Sequence, residues 1–409
     1  MYEKLTIAVI GCGNFARHFI ELFKKHPYTE KVYVCDLIPE KAQEYSEKFD
    51  VEIIDSFETA LKDTTVNCIA NFTQRHLHGD IVIRALKAGK HVYSAVPMAP
   101  TIEECKEIVR LVKETGLTYM MGETCYYYPC AMYCREAYAQ GKFGKFSYGA
   151  SQYYHNINSI SYGERPEERG MPPLLYPTHS TAMILSAVDS YVKKVVCFGC
   201  KDMSGDKAFT KDGNQWQNEH LNQYVLMEFA NGGTARVTEA RGLGWCKPSS
   251  YISSLYGTKG GYEFSNAQHI LVQKDMDADP KKDKVFLDDV SDYVNPYEMV
   301  KNKDLPDFKE KVANGEWQYY GIAKIQEKEY ERLPEEYNDI DNGHMGTHKF
   351  LIDDFCKAAF TGETPILNAW FAARVNIPGL MAIESAKQGG IPMNVPDLGE
   401  PPFDKKVKL

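Results

Sequence analysis

Leu5-Thr6-Ile7-Ala8-Val9-Ile10-Gly11-Cys12-Gly13-Asn14-Phe15-Ala16 reads as an apolar strand running straight into a G-x-G-x-x-A turn. Gly11 permits the tight turn, Gly13 lets the backbone approach a pyrophosphate, and the small Ala16 allows close packing of strand and helix. Asp36 ends the next strand-like run, 25 residues after Gly11, where a carboxylate accepts hydrogen bonds from ribose hydroxyls. Leu37 follows it, and no arginine stands beside it to take a 2′-phosphate. Strand, motif, helix, strand and acid in that order predict a dinucleotide site built from Gly11, Cys12, Gly13, Asn14, Phe15, Ala16 and Asp36, with NAD preferred over NADP.

Working outward, the first 120 residues alternate short strand-like runs with helical periodicity. Strands are expected at Thr6–Ile10, Lys31–Cys35, Cys68–Asn71, His91–Ser94 and Thr118–Met121. Helices are expected at Ala16–Lys25, Pro39–Lys48, His78–Ala88 and Ile102–Thr115. This is the pattern of a parallel sheet covered by helices. After Glu123 the texture changes. A helix at Pro129–Gln140 leads into longer strand-like runs at Phe146–Tyr154, Lys193–Phe198, Gln223–Phe229 and Thr234–Glu239, and Asn231-Gly232-Gly233 marks a hairpin. The fold class is therefore α/β: a Rossmann domain over residues 1–123, then an α/β domain over 124–409 with a large, mainly antiparallel open sheet for substrate binding and oligomerisation. Ten of the seventeen residues from Lys274 to Val290 are charged, so 274–338 is expected as a polar surface excursion with little core. The helical segment Ala369–Gln388 is expected to pack back onto the body.

The chain has 409 residues, 44% of them hydrophobic and 25% charged, enough to bury a real core. The net charge of −9 offers no general attraction to phosphate backbones or anionic lipid, which sets aside nucleic acid and membrane partners. No apolar run approaches the roughly 20 residues that span a bilayer. Eleven cysteines, an odd and sparse set, fit a reducing cytoplasm, and no signal peptide is expected at the N-terminus.

The stretch His78 to Pro97, HGDIVIRALKAGKHVYSAVP, resembles the H-x-x-x-x-x-A-L-x-A-G-K-H-V-x-x-E-K-P segment of the Gfo/Idh/MocA oxidoreductases, NAD(P)-dependent enzymes of sugars and polyols. GKFGKF at Gly141–Phe146 resembles that family's entry into its second sheet. The resemblance implies that His78 and Pro97 lie along the nicotinamide side of the cleft. It also exposes a departure. Ala95-Val96 stands where the family has Glu-Lys, and a valine cannot transfer a proton. The family's D-x-G-x-H-x-x-D motif keeps only His179, because Leu175, Pro177 and Ala182 occupy its other positions.

Tyr176-Pro177-Thr178-His179 is instead similar to the Y-P-T-H segment of the family's NAD-dependent α-N-acetylgalactosaminidases, a glycosidase branch that also replaces the lysine by valine. Glu123 and Tyr153 fall at matching places, although Ala95 departs from that branch's glutamate. The resemblance implies His179, Tyr176, Tyr153 and Glu123 as catalytic residues. It further implies cleavage of a glycoside by transient oxidation at C3, elimination, water addition and re-reduction. Independently of the family, Tyr176 and His179 stand three apart at a helix start, which puts both on one face where a proton can be handed on and off. Packing roles for both are the alternative.

Two further functions stay open: a sugar or polyol dehydrogenase using His179 as base, and a catalytically silent NAD-binding regulator. No metal is expected. Cys197 and Cys200 stand three apart on a strand and diverge, and His344 and His348 lack the glutamate of H-E-x-x-H, leaving a solvated or capping role for these histidines. The implied partners are a small glycoside or sugar and a second copy of the chain, as homodimer or homotetramer, because an open sheet face needs a cover.

Overall fold

The computed structural model describes residues 4–155, 166–203, 205–243, 251–265, 268–275, 285–296, 322–340 and 343–402. Six strands form the first sheet: β1 (Leu5–Ile10), β2 (Thr29–Cys35), β3 (Glu52–Ile53), β4 (Cys68–Asn71), β5 (His91–Ser94) and β6 (Tyr119–Met121). All pair in parallel in the order β3-β2-β1-β4-β5-β6, the doubly wound arrangement whose ligands sit beyond the carboxyl ends of the strands. The central strands are apolar on both faces, and β4 is buried throughout, because helices cover both sides. Those helices include α1 (Ile20–Lys25), α2 (Pro39–Phe49), α3 (Phe57–Lys62), α4 (His78–Lys87) and α5 (Ile102–Thr115), and α6 (Pro129–Ala139) follows β6 on the way to the second sheet.

The turn after β1 is sterically determined. Gly11 sits at φ +95°, and a Cβ there would lie 2.8 Å from the backbone carbon of Phe72, so no other residue fits. The expected helix Ala16–Lys25 is broken in two: Ala16–His18 is a 3₁₀ turn and α1 begins only at Ile20. Phe19 separates them at φ −117°, ψ −25°, with its ring buried against Phe15, Phe72 and Tyr93. Packing of that ring outweighs continuity of the helical ladder.

The second sheet has nine strands. They are β7 (Phe146–Tyr154), β8 (Val192–Lys201), β9 (His220–Phe229), β10 (Thr234–Ala240), β11 (Tyr251–Gly257), β12 (Gly260–Ser265), β13 (Gln268–Lys274), β14 (Val285–Asp289) and β15 (Met393–Asn394). Their order is β14-β13-β12-β11-β7-β10-β9-β8-β15, and only β7 and β10 pair in parallel. The hairpin expected at Asn231-Gly232-Gly233 joins β9 to β10, with Gly232 at φ +88°. One face carries α7 (Thr178–Leu185) and α9 (Ala369–Lys387). The other leaves Phe198, Tyr224 and Leu226 exposed at 63%, 39% and 61%. Cys197 is buried and Cys200 partly exposed on β8.

Exposure is mixed along the described parts of the segment expected as a polar excursion. Every residue of β14 is exposed, yet Val294, Ile325 and Tyr337 are buried, and the Tyr337 hydroxyl donates to the carbonyl of Leu22 at 3.0 Å. Its apolar side chains fall at isolated positions among charges and therefore show no periodicity. Residues 276–284 and 297–321, with Tyr319 and Tyr320, lie outside the described residues. Helix α8 (His348–Thr361) packs on β1 and α1, so the later half of the chain also contributes to the Rossmann layer.

Helix α9 joins the two halves. The Asn376 side chain accepts from the Met98 amide at 3.1 Å and donates to the Ala99 carbonyl at 2.9 Å, all buried. These bonds fix the loop after β5. Asn376→Ala leaves two buried backbone groups unpaired and should cost on the order of 3 kcal/mol, read as a lower urea midpoint at unchanged slope. An unchanged midpoint would show that water replaces the amide.

Candidate active site

On the cofactor side, the Asp36 carboxylate accepts from the Cys12 amide at 2.7 Å and the Ile38 amide at 2.9 Å, which locks the end of β2 onto the glycine turn. Tyr45 braces the same turn through Gly13 O at 2.8 Å. A cavity lined by Asp36, Pro39, Gln43, Ile53 and Ile54 opens beside the carboxylate. Leu37 is almost wholly exposed and offers no cation. A carboxylate on a glycine turn that excludes a Cβ is the donor and acceptor set an adenosine ribose and pyrophosphate require, so Gly11, Cys12, Gly13, Asn14, Phe15, Ala16 and Asp36 fit the dinucleotide. His78 does not point into the cleft. It is buried, with its ring nitrogens 2.8 Å from the Pro97 carbonyl and 3.1 Å from the Thr73 carbonyl, and burial lowers its pKa. Its neutral ring donates from one nitrogen to one of these carbonyls, which ties the loops that carry Thr73 and Pro97 to the start of α4.

On the other side, three elements converge. Glu123 follows β6, Tyr153 lies near the end of β7, and Pro173 and Pro177 shape the turn that sets Tyr176 and His179 at the start of α7. Close approach is possible because α9 has Gly379 there; a Cβ would lie 2.5 Å from Pro177. His179 Nδ1 is 2.6 Å from Glu123 Oε1, and His179 Nε2 is 2.8 Å from the Tyr176 hydroxyl. A carboxylate accepts only, so Nδ1–H donates to Glu123 and Nε2 accepts from Tyr176. Tyr153 meets the His179 ring edge to face at 5.3 Å and lies 6.2 Å from the Tyr176 ring. All four candidate residues are thus in one cluster.

Its electrostatics are those of a dry site. Burial opposes the Glu123 charge, but His179 beside it and the hydrogen bonds outweigh this and hold the carboxyl below its ordinary value. Burial pushes the Tyr153 phenol up to about 12, against the pull of Arg241, and holds Tyr176 well above its ordinary value. Glu123, Cys125 and His179 present ligand-type atoms within 4.8 Å of one another. The two nearest already share a hydrogen bond, and burial raises the Cys125 thiol well above its ordinary value, so a cation would have to break that bond and displace the thiol proton to be held here.

Residues 5–123 match the family described as "Oxidoreductase family, NAD-binding Rossmann fold" (GFO_IDH_MocA). The N-terminal domain belongs to the Gfo/Idh/MocA oxidoreductases. The chain is an enzyme of the NAD-dependent oxidoreductase type. It is 22% identical over 294 residues to a 2,7-anhydro-N-acetylneuraminate hydratase of Escherichia coli (strain K12), covering 68% of this chain and 76% of that one. It is 23% identical over 423 residues to a glycosyl hydrolase family 109 protein of Streptomyces filamentosus, covering 96% and 77%. The fold matches the solved levoglucosan dehydrogenase in complex with NADH and L-sorbose, with a TM-score of 0.70, 17% identity and coverage of 97% and 100%. No helix among the described residues is long and apolar enough to cross a membrane.

Several neighbours escaped the sequence. Tyr251 stacks flat on Tyr153 at 4.7 Å and 2°; it lies on a strand that no periodicity marks. Arg241 lies 4.9 Å from the Tyr153 ring centre and Arg75 lies 4.7 Å from that of Tyr176. Of the two histidines expected as solvated or capping, His344 is exposed and His348 is buried; their ring nitrogens lie 2.8 Å apart, with Phe15 of the glycine turn edge-on to both. The only signal for these two was their i,i+4 spacing.

NAD should bind at least about tenfold more tightly than NADP, because Asp36 meets a 2′-phosphate with like charge. Asp36→Ala should relax that preference in a fluorescence titration of both cofactors, and equal wild-type affinities would overturn the assignment.

Proposed function

We propose that this enzyme of the Gfo/Idh/MocA oxidoreductase type acts on a small glycoside, releasing its C1 substituent without net oxidation. The observation that carries the reading is the Glu123–His179–Tyr176 chain of hydrogen bonds in a cleft where Val96 replaces the family's lysine. NAD, when bound, supplies the acceptor and then the donor of a hydride at C3. Tyr176, backed by His179, takes the proton of the C3 hydroxyl, and Glu123 holds the imidazole in the required tautomer. A carbonyl at C3 acidifies the proton on C2, and Tyr153, acting as the phenolate that the Arg241 charge beside its ring favours, removes it and becomes the neutral phenol. The C1 substituent leaves by elimination, water adds in its place, and the same groups return the protons. Glycosidases that depend on NAD stand outside the usual two-carboxylate mechanism. The family 109 relatives support this reading, and the dehydrogenase neighbours support net sugar oxidation as the second.

The exposed face of the nine-stranded sheet, with Phe198, Tyr224 and Leu226, is proposed as the contact of a homodimer or homotetramer. Light scattering at micromolar concentration should find an oligomer; a monomer would refute it.

Aryl glycosides hydrolysed in deuterated water with NAD should carry deuterium at C2. His179→Ala or Tyr153→Phe should lower turnover by about a hundredfold, the scale of a lost acid or base. Cleavage without NAD, or without exchange at C2, would refute the mechanism, and steady NADH build-up would establish the dehydrogenase.

A further inference from the structure

Arg75 lies in the loop after β4, on the Rossmann side, whereas Glu168 and Tyr176 belong to the second domain. The buried Glu168 carboxylate holds Arg75 twice: one oxygen accepts from the backbone amide at 2.8 Å and the other from Nη1 at 2.7 Å. Gln74 beside it donates to Glu167 at 3.4 Å. Held so, the Arg75 guanidinium lies 4.7 Å from the centre of the Tyr176 ring, whose hydroxyl points to His179. The clasp between the two domains therefore delivers a fixed positive charge to one particular phenol.

We propose that Arg75 is a positioning residue for Tyr176: clamped across the domain seam by Glu168, it makes the phenol a better proton donor to His179, so that the base is complete only where the two domains meet. This rests on the reading of Tyr176 as a proton-transfer group. In the step itself the phenolic proton passes along the 2.8 Å bond to His179 Nε2. The products are a phenolate under the guanidinium and an imidazolium facing the Glu123 carboxylate. A cation over the ring face favours the charge that then spreads into that ring.

The groups around Tyr176 leave few others for this task. His179 is its neighbour on α7, with Glu123 behind it, and Tyr153 comes from β7. Arg241, after β10, lies 6.0 Å from the ring centre, and His155 lies within the field of both arginines. Burial raises the Tyr176 pKa, Tyr153 and Glu123 push the same way, and Arg75 and Arg241 pull against them. Arg241 is buried and bound to Glu239 at 2.9 Å and to the carbonyls of Ala240 and Pro173. The Arg75 side chain is 31% exposed against 5% for Arg241, so it is the more accessible of the two arginines to substitution.

The test uses NAD-loaded protein labelled with 2,3,5,6-tetrafluorotyrosine, whose phenol is several pH units more acidic than that of tyrosine so that the raised midpoint falls within the titratable range, and follows the Tyr176 fluorine resonances against pH, assigned by their loss in Tyr176→Phe. Arg75→Gln should raise the Tyr176 midpoint by about one pH unit or more. Arg75→Lys should restore most of it, because it keeps the charge, and Glu168→Gln should shift it in the same direction as Arg75→Gln by loosening the clamp. An unchanged midpoint in Arg75→Gln, or equal midpoints for the Gln and Lys variants, would overturn the proposal. The titration needs no substrate, so it stands or falls apart from the glycoside reading. Where a substrate turns over, the rising limb of kcat/KM against pH should move by the same amount in Arg75→Gln, and a fall in kcat at unmoved pH would mark a merely structural arginine.

Discussion

A carboxylate with no exposure to water must be answered by charge and by hydrogen bonds, and Glu123 is answered by His179 at 2.6 Å and by the Cys125 amide at 2.9 Å. That requirement organises the cleft. It fixes which nitrogen of His179 carries the proton, and hence that Nε2 accepts from Tyr176. It also ties the end of β6 in the Rossmann sheet to the start of α7 on the second sheet, so the two domains share one buried polar seam.

The same device appears three times. Glu123, Glu168 and Glu239 are all essentially inaccessible. Each holds one cationic or protonatable side chain, respectively His179, Arg75 and Arg241, against the Tyr153–Tyr176 pair. Buried ion pairs are weak sources of stability, since desolvation offsets the attraction. Three of them around two phenols are better understood as fixed dipoles in a water-poor pocket, where preorganised charge acts strongly. Burial pushes Glu239 up to about 7, against Arg241 and Ser180, which shows how far that pocket departs from water.

The Rossmann half was legible because its signals are local. Ile102–Thr115, Cys68–Asn71 and His91–Ser94 fall where periodicity puts them, and the glycine turn needs only its neighbours to be read. The four catalytic candidates came from a short likeness, and the structure gathers them in one cluster. The misses have a common cause. His78 is buried beside two carbonyls, a setting that its place in the sequence does not disclose. Tyr251, Arg75, His344 and His348 gain their places from packing between segments far apart in the chain, and no window of sequence contains such a contact.

By itself the sequence determined an NAD-type turn at Gly11–Ala16, an α/β architecture with a change of sheet near Glu123, and the residue types needed for proton transfer. Those follow from steric limits at Gly11 and from hydrophobic period, which act over a few residues. Tertiary structure alone decided the tautomer of His179, the charge over Tyr176 and the stacking of Tyr251 on Tyr153. These depend on burial and on distances across the domain seam, and electrostatic energy in a low-dielectric pocket is set by position in space rather than by order along the chain.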